Sequence, residues 1–116
     1  MSESRLLAND LTIGYSEKKG QFKAVQRHLN LSLDSHQMTA LIGPNGAGKS
    51  TLLRTICGLQ KQIQGDILIE GKSIDHLSTT EKAKLISVVL THSADTSMLT
   101  VREIVSIGRQ PYSNWL

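Results

Sequence analysis

The sequence is poor in cysteine, proline and aromatic residues, with one cysteine, two prolines and an aromatic share of 3%. The lone Cys57 excludes an internal disulfide and any cysteine-rich metal site. With so few aromatic rings, a core must consist mainly of Leu, Ile, Val and Ala side chains. No run approaches about 18 consecutive apolar residues, so the sequence predicts no membrane-spanning helix.

The chain also has no strong excess of charge of one sign. Its 13 Lys and Arg against 10 Asp and Glu give a net charge of +3, and the basic residues are scattered. A nucleic-acid-binding surface therefore receives no support. The length and a hydrophobic content of 39% suit one modest globular domain. The start lacks the apolar segment of a secretory signal, so the cytoplasm is the expected compartment.

A glycine-rich loop is the most informative feature that is present. Residues 43–51 fit G-x-x-x-x-G-K-[ST], the pattern of phosphate-binding loops. The glycines allow a tight turn in which successive N–H groups point at a phosphate. Lys49 adds a positive charge that reaches the β- and γ-oxygens, and the Ser50 hydroxyl is a ligand for Mg²⁺. The predicted phosphate contacts are Gly43, Pro44, Asn45, Gly46, Ala47, Gly48, Lys49, Ser50 and Thr51.

The hydrophobic pattern on either side of the loop predicts the α/β class. Alternating apolar residues predict two antiparallel strands at 7–15 and 23–33, each with one solvated face. Continuous apolar runs predict buried strands at 38–42 and 85–90. A further short strand at 65–72 is expected to end in a Gly-Lys turn.

Helices are predicted after the loop and after two capping boxes. The helix that follows the loop is expected to end at Gly58. Residues 78–81 and 100–103 have the S/T-x-x-E form, so each opens a short helix. The apolar residues expected to be buried are Leu52, Leu53, Ile56 and Cys57 on the first helix and Val101, Ile104 and Val105 on the last.

Three segments of the sequence together resemble the nucleotide-binding subunit of ABC transporters. Residues 43–53 match that family's form of the loop almost letter for letter, and residues 11–15 resemble its first strand. Residues 99–112 are similar to the ATPase subunits of importers for iron-siderophore, haem and cobalamin ligands. The resemblance implies a P-loop NTPase core with an N-terminal antiparallel β-layer and the start of the ABC helical subdomain.

The same resemblance implies a function and its partners. It implies that ATP and Mg²⁺ bind, with Tyr15 stacked on the adenine, and that hydrolysis drives uptake through a membrane permease. Expected partners are the permease subunits and a second copy of the ATPase, at the cytoplasmic face of the membrane, with no nucleic acid and no direct membrane insertion. A glutamine that reaches Mg²⁺ in the family corresponds to Thr91. Threonine is shorter, so contact would need a bridging water. The neighbouring His92 is an alternative, but it is expected to be a solvent-exposed loop histidine.

By the same comparison, residues 1–116 form the N-terminal part of one nucleotide-binding domain. The family's signature, Asp-Glu strand and switch histidine would lie beyond Leu116, and we expect residues 67–70 and 77–81 to be a hairpin edge and a capping box. Apart from Lys49 there is no catalytic candidate, so nucleotide binding without turnover is expected from this segment. The alternatives to the ATP-binding subunit of an importer are a cytosolic ABC ATPase unconnected with transport and a truncated nucleotide-binding module without turnover.

Overall fold

The computed structural model describes residues 3–91 and 95–112. The chain divides into two compact units, Met1–Leu77 and Ser78–Leu116, which we describe separately. The first unit contains β1 (Ser4–Ser16), β2 (Phe22–Asp34), α1 (Lys49–Ile56), β3 (Gln64–Ile69) and β4 (Lys72–Ser73). The second contains α2 (Thr79–Leu85) and α3 (Val101–Ile107). Single turns of 3-10 helix lie at Lys18–Gly20, Ile74–His76 and Gln110–Tyr112.

The strands of the first unit form one antiparallel sheet in the order β2-β1-β3-β4. This confirms the predicted N-terminal antiparallel β-layer. The alternation along β1 breaks at Asp10, which has a φ of 47° and lies within a register shift. Because of this irregularity Ala8, Leu11 and Ile13 are all fully buried, although they do not follow a single alternating pattern.

The tight hairpin that the sequence predicts forms one edge of this sheet. β3 and β4 pair directly, and Glu70 and Gly71 between them both have positive φ values, 50° and 81°. The Glu70 carboxylate lies 2.6 Å from the guanidinium of Arg5 on the surface. Residues 67–70 are thus a hairpin edge, as expected, and not a strand that ends in a metal-binding acid.

Helix α1 begins and ends where the sequence predicts. Gly58 has a φ of 76°, and its N–H donates to the Thr55 carbonyl while the Leu59 N–H donates to the Arg54 carbonyl. This is the Schellman arrangement that glycine favours at a helix end. The buried side chains of α1 are Thr51, Thr55 and Ile56.

The expected burial of Leu52, Leu53 and Cys57 on α1 is therefore not fully met. Leu53 is exposed, while Leu52 and Cys57 are half-buried. The reason is that α1 packs on β1 through a face that includes two threonines. Both hydroxyls have partners, since Thr55 Oγ1 donates to the Thr51 carbonyl at 2.7 Å and Thr51 Oγ1 shares a hydrogen bond with Tyr15 Oη on β1.

Two predicted buried strands are absent from the described residues, and those predictions are wrong for this structure. Residues 37–44 and 86–90 have no regular structure, and α2 continues to Leu85. Ile42 is 89% exposed and Val89 is 98% exposed. A strand exists only as part of a hydrogen-bonded ladder, and among the described residues neither segment belongs to one.

Both predicted helix starts are present in the second unit, but only the one at Thr100 is a complete capping box, while Ser78 makes the N-cap hydrogen bond alone. Ser78 Oγ accepts a hydrogen bond from the Glu81 N–H at 3.1 Å. Thr100 Oγ1 accepts from the Glu103 N–H, and the Glu103 carboxylate accepts from the Thr100 N–H at 2.7 Å. The expected burial of Val101, Ile104 and Val105 is wrong, with Val101 78% exposed. The described contacts between elements in this unit join α2 to the 3-10 turn at Gln110–Tyr112 instead.

Candidate nucleotide-phosphate site

The glycine-rich loop connects the unpaired segment after β2 to the start of α1. The Ala47 N–H donates to the Pro44 carbonyl at 3.2 Å and closes a turn. Gly46 and Gly48 have φ values of 87° and 102°, in the left-handed region that L side chains rarely adopt. A Cβ on Gly48 would also lie 2.6 Å from Val25 Cγ1, so the loop rests directly on β2. Glycine is required at this position for both reasons.

The end of this loop is the N-terminus of α1. Gly48 occupies the N-cap and makes no side-chain capping hydrogen bond. Backbone N–H groups in the first turn of such a helix are available to an anion, and the helix dipole favours negative charge there. Lys49 Nζ donates to the Gly43 carbonyl, so the ammonium is held at the loop, and the Ser50 side chain next to it is exposed. Backbone donors, one ammonium and one accessible hydroxyl thus lie at a single place, which suits a polyphosphate.

The structure brings Tyr15 to this site. Tyr15 Oη and Thr51 Oγ1 share a hydrogen bond of 2.6 Å. The hydrogen bond from Thr51 lowers the pKa of the Tyr15 phenol, burial opposes this, and the Arg54 guanidinium lowers it further. Thr51 is 2% exposed, whereas Tyr15 remains 45% exposed. The aromatic ring that is predicted to stack on adenine therefore lies beside α1, which carries three of the predicted phosphate contacts, Lys49, Ser50 and Thr51.

Two residues of β2 that support the loop were missed by the sequence analysis. Gln26 Nε2 donates to the Ala47 carbonyl at 3.0 Å, and Val25 contacts Gly48 as described above. Neither residue belongs to a recognisable local pattern, because they lie about 20 positions before the loop and meet it only through the tertiary fold. Their strand was predicted, but its contact with the loop was not.

A cavity of about 180 Å³ lies among the loop, β1, β2 and α1. It is lined mainly by apolar side chains, including Ile13, Leu29 and Leu52. Nucleotide-sized sites are usually larger, roughly 300–1,000 Å³, and carry polar groups that face the ligand. This cavity is therefore a packing feature of the loop and not the place where a triphosphate would lie.

The remaining candidates divide between the two units. Thr91 belongs to the second unit, where its side chain is exposed, so its contact with Mg²⁺ stays a prediction. His92 lies outside the described residues. Burial raises the pKa of the Cys57 thiol, which agrees with the packing role expected for it. Among residues 3–91 and 95–112, there is no cluster of three or more His, Cys, Asp or Glu side chains able to hold a metal.

Comparison with known families settles the relationship of this chain. The sequence model of the ABC transporter family matches residues 26–115. The chain belongs to the ABC transporter family. The match includes the loop and helices α1, α2 and α3, whereas β1, which carries Tyr15, lies before its first residue.

Several curated relatives of this ABC family member are ATP-binding proteins whose names refer to siderophore transport. "Probable siderophore transport system ATP-binding protein YusV" of Bacillus subtilis (strain 168) is 37% identical over all of this chain and 40% of its own length. The ferric enterobactin transport ATP-binding protein FepC of Escherichia coli (strain K12) is 36% identical over 96% of this chain and 39% of its own length. These matches confirm the resemblance to importer ATPases. The chain spans about 40% of the length of these relatives, in their N-terminal portion.

Solved structures confirm the fold. One, described as the ATP-binding subunit of an ABC transporter, has a TM-score of 0.79 and 28% identity, and covers 97% of this chain and 44% of its own. A dimeric ATP-binding cassette, solved in a post-hydrolysis state with ADP and phosphate, has a TM-score of 0.57 and 25% identity over 69% of this chain and 34% of its own. The described helices of our chain are short, and none is long and apolar enough to cross a membrane.

Proposed function

We propose that this chain supplies the nucleotide-binding loop of an ABC importer's ATP-binding subunit. The subunit would couple MgATP hydrolysis to uptake of an iron-siderophore, haem or cobalamin-type ligand through a membrane permease. One observation carries the proposal: left-handed Gly46 and Gly48, the uncapped start of α1 and the Lys49 ammonium all lie at one place. Such a site matches the charge and the acceptor groups of a polyphosphate.

The residues present fit ATP in a specific way. Backbone N–H groups of residues 46–51 would donate to the phosphates, and Lys49 would exchange the Gly43 carbonyl for β- and γ-oxygens. The exposed Ser50 hydroxyl would complete the coordination of a Mg²⁺ ion that arrives with the phosphates. Tyr15 would offer its ring to the adenine. Bound ATP supplies the γ-phosphoryl group whose transfer to water releases the free energy.

Hydrolysis requires more than these contacts. P-loop ATPases also use a second acidic Mg²⁺ anchor and a group that positions the attacking water. Neither is recognisable in the sequence up to Leu116, so we expect binding without turnover from these 116 residues alone. A second copy of the subunit and a permease on the cytoplasmic side would complete the transporter. The importer assignment is supported by relatives whose names refer to siderophore transport.

Calorimetric titration with MgADP and MgATP tests the binding step. The Lys49→Ala variant should raise Kd at least tenfold, because hydrogen bonds to charged groups are among the strongest that proteins make. Lys72→Ala is the matched control, since Lys72 is an exposed lysine of β4. Its Kd should equal that of the unaltered protein. Absence of binding by the unaltered protein, or equal affinity in Lys49→Ala, would refute the proposal.

Uptake measurements test the transport step separately. A strain that lacks the gene should lose accumulation of a labelled ferric siderophore, haem or cobalamin, and the unaltered gene should restore it. The Lys49→Ala gene should not restore it, whereas the Lys72→Ala gene should. Normal uptake of all three ligands in the deletion strain would refute import while leaving nucleotide binding intact.

A further inference from the structure

The loop is fastened to β2 at one peptide group. Gln26 Nε2 donates to the Ala47 carbonyl oxygen at 3.0 Å. The Gln26 side chain also lies close to Gly48, with the Gln26 Cγ 3.6 Å from the position that a Cβ on Gly48 would take. Gln26 is thus in contact with the Ala47–Gly48 peptide from the β2 side.

A bulge in β2 makes this contact possible. Ile13 pairs with Gln26, but the next residue, Gly14, pairs with Ala24, so Val25 is skipped in the register. Neighbouring residues of a regular strand point to opposite faces, whereas a bulge redirects one of them. As a result Val25 and Gln26 both reach the loop, Val25 at Gly48 and Gln26 at Ala47.

Holding the Ala47 carbonyl fixes the direction of the Gly48 N–H. Both groups belong to one planar trans peptide, in which the C=O and the N–H point in opposite directions. Since the carbonyl points at Gln26, the Gly48 N–H points away from β2. Gly48 on one side of this peptide has a φ of 102° and restricts its orientation less than another residue would, so the hydrogen bond from Gln26 adds a constraint on that orientation.

We propose that Gln26 is a positioning residue of the phosphate site. It keeps the Gly48 N–H directed toward the bound phosphates by holding the carbonyl of the same peptide, and it acts through the backbone without touching the nucleotide. The inference rests on the proposed function, because it assumes that phosphates bind in this loop. It assigns to β2 a role in binding as well as in packing.

The experiment compares two variants of β2 in the full-length protein. Gln26→Met keeps the length of the side chain and removes its donor. Asn30→Leu is the matched control, because Asn30 Oδ1 accepts a hydrogen bond from the Asp10 N–H at 2.9 Å, away from the loop. Lys49→Ala serves as the reference for loss of phosphate binding. All are titrated with MgADP and MgATP.

We expect Gln26→Met to raise the Kd values of MgADP and MgATP by the same factor. This factor should be roughly three- to tenfold, the range that corresponds to the loss of one hydrogen bond. Asn30→Leu should leave both Kd values unchanged. A spectroscopic readout separates positioning from a general loss of structure. In ¹⁵N–¹H spectra the Gly48 amide proton should move downfield on saturation with MgADP, and this movement should be smaller in Gln26→Met than in Asn30→Leu.

Each other outcome has a defined meaning. If Lys49→Ala loses binding while Gln26→Met keeps the normal Kd and the normal Gly48 shift, the role of Gln26 is refuted and the proposed function stands. Equal weakening in Gln26→Met and Asn30→Leu would also refute it, since the effect would then come from disturbance of β2. Unchanged binding in Lys49→Ala would refute the proposed function itself.

Discussion

Substitution of Gly48 by alanine is the sharpest test of how the loop is built. An alanine there must adopt a φ of 102°, and its Cβ would lie 2.6 Å from Val25 Cγ1. The left-handed backbone costs roughly 1–2 kcal/mol, and overpacking typically adds about 1–3 kcal/mol. Gly46→Ala is the matched control, because Gly46 has a φ of 87° with nothing within 4 Å of its added Cβ. Gly46→Ala should lower the free energy of unfolding only by the cost of the left-handed backbone.

Urea unfolding followed by circular dichroism measures these differences. Gly48→Ala should lower the free energy of unfolding more than Gly46→Ala, by about 1–3 kcal/mol. The double variant Val25→Ala, Gly48→Ala should recover most of that excess, because the clashing methyl group is gone. Its cost should therefore be well below the sum of the two single costs. Equal effects of Gly46→Ala and Gly48→Ala, or strictly additive effects with Val25→Ala, would show that the loop does not rest on Val25.

Two further predictions concern Tyr15 and Cys57. Tyr15→Phe should lower the free energy of unfolding by about 1 kcal/mol, because the buried Thr51 hydroxyl loses its partner, and its nucleotide affinity should be unchanged. Tyr15→Ala should weaken the binding of adenine nucleotides by about 1–3 kcal/mol in calorimetry, because the stacking ring is lost. Full affinity in Tyr15→Ala would exclude stacking. Burial raises the pKa of the Cys57 thiol, so the unfolded thiol ionises first as pH rises. Stability should therefore fall as pH rises through the ordinary pKa of a thiol, and alkylation by iodoacetamide should be slower in the folded chain. Equal alkylation rates in folded and unfolded protein would contradict this.

The features that the sequence predicted correctly are those encoded by neighbouring residues. The left-handed turns at Gly46, Gly48 and Gly58 follow from the lack of a side chain, and the capping box at Thr100 follows from hydroxyl and carboxylate groups three positions apart. Each of these can be recognised without knowledge of the rest of the fold. The glycine-rich loop at 43–51 is of the same kind, because its pattern lies within nine consecutive residues.

The features that were missed depend on residues far apart in the chain. The apolar runs at 38–42 and 85–90 carry the composition of buried strands, but composition specifies an environment and not a partner. Neither run pairs with a strand among the described residues: residues 38–42 are irregular, Leu85 ends α2, and residues 86–90 are irregular. A fully buried strand is thus the element whose formation is least determined by its own sequence.

The β1–β2 hairpin links the two ends of the candidate site. Tyr15 at the predicted adenine end pairs with Lys23, and Ile13 pairs with Gln26 at the phosphate end, with the Val25 bulge between these pairs. A Cβ on Gly14 would lie 2.0 Å from the Lys23 carbonyl, so only glycine allows the strands to approach where the register changes. Because a one-residue slip turns every side chain to the other face, the bulge sets Tyr15, Val25 and Gln26 together. The register of one hairpin therefore determines whether Tyr15 reaches Thr51 on α1 and whether Val25 and Gln26 reach the loop that precedes this helix.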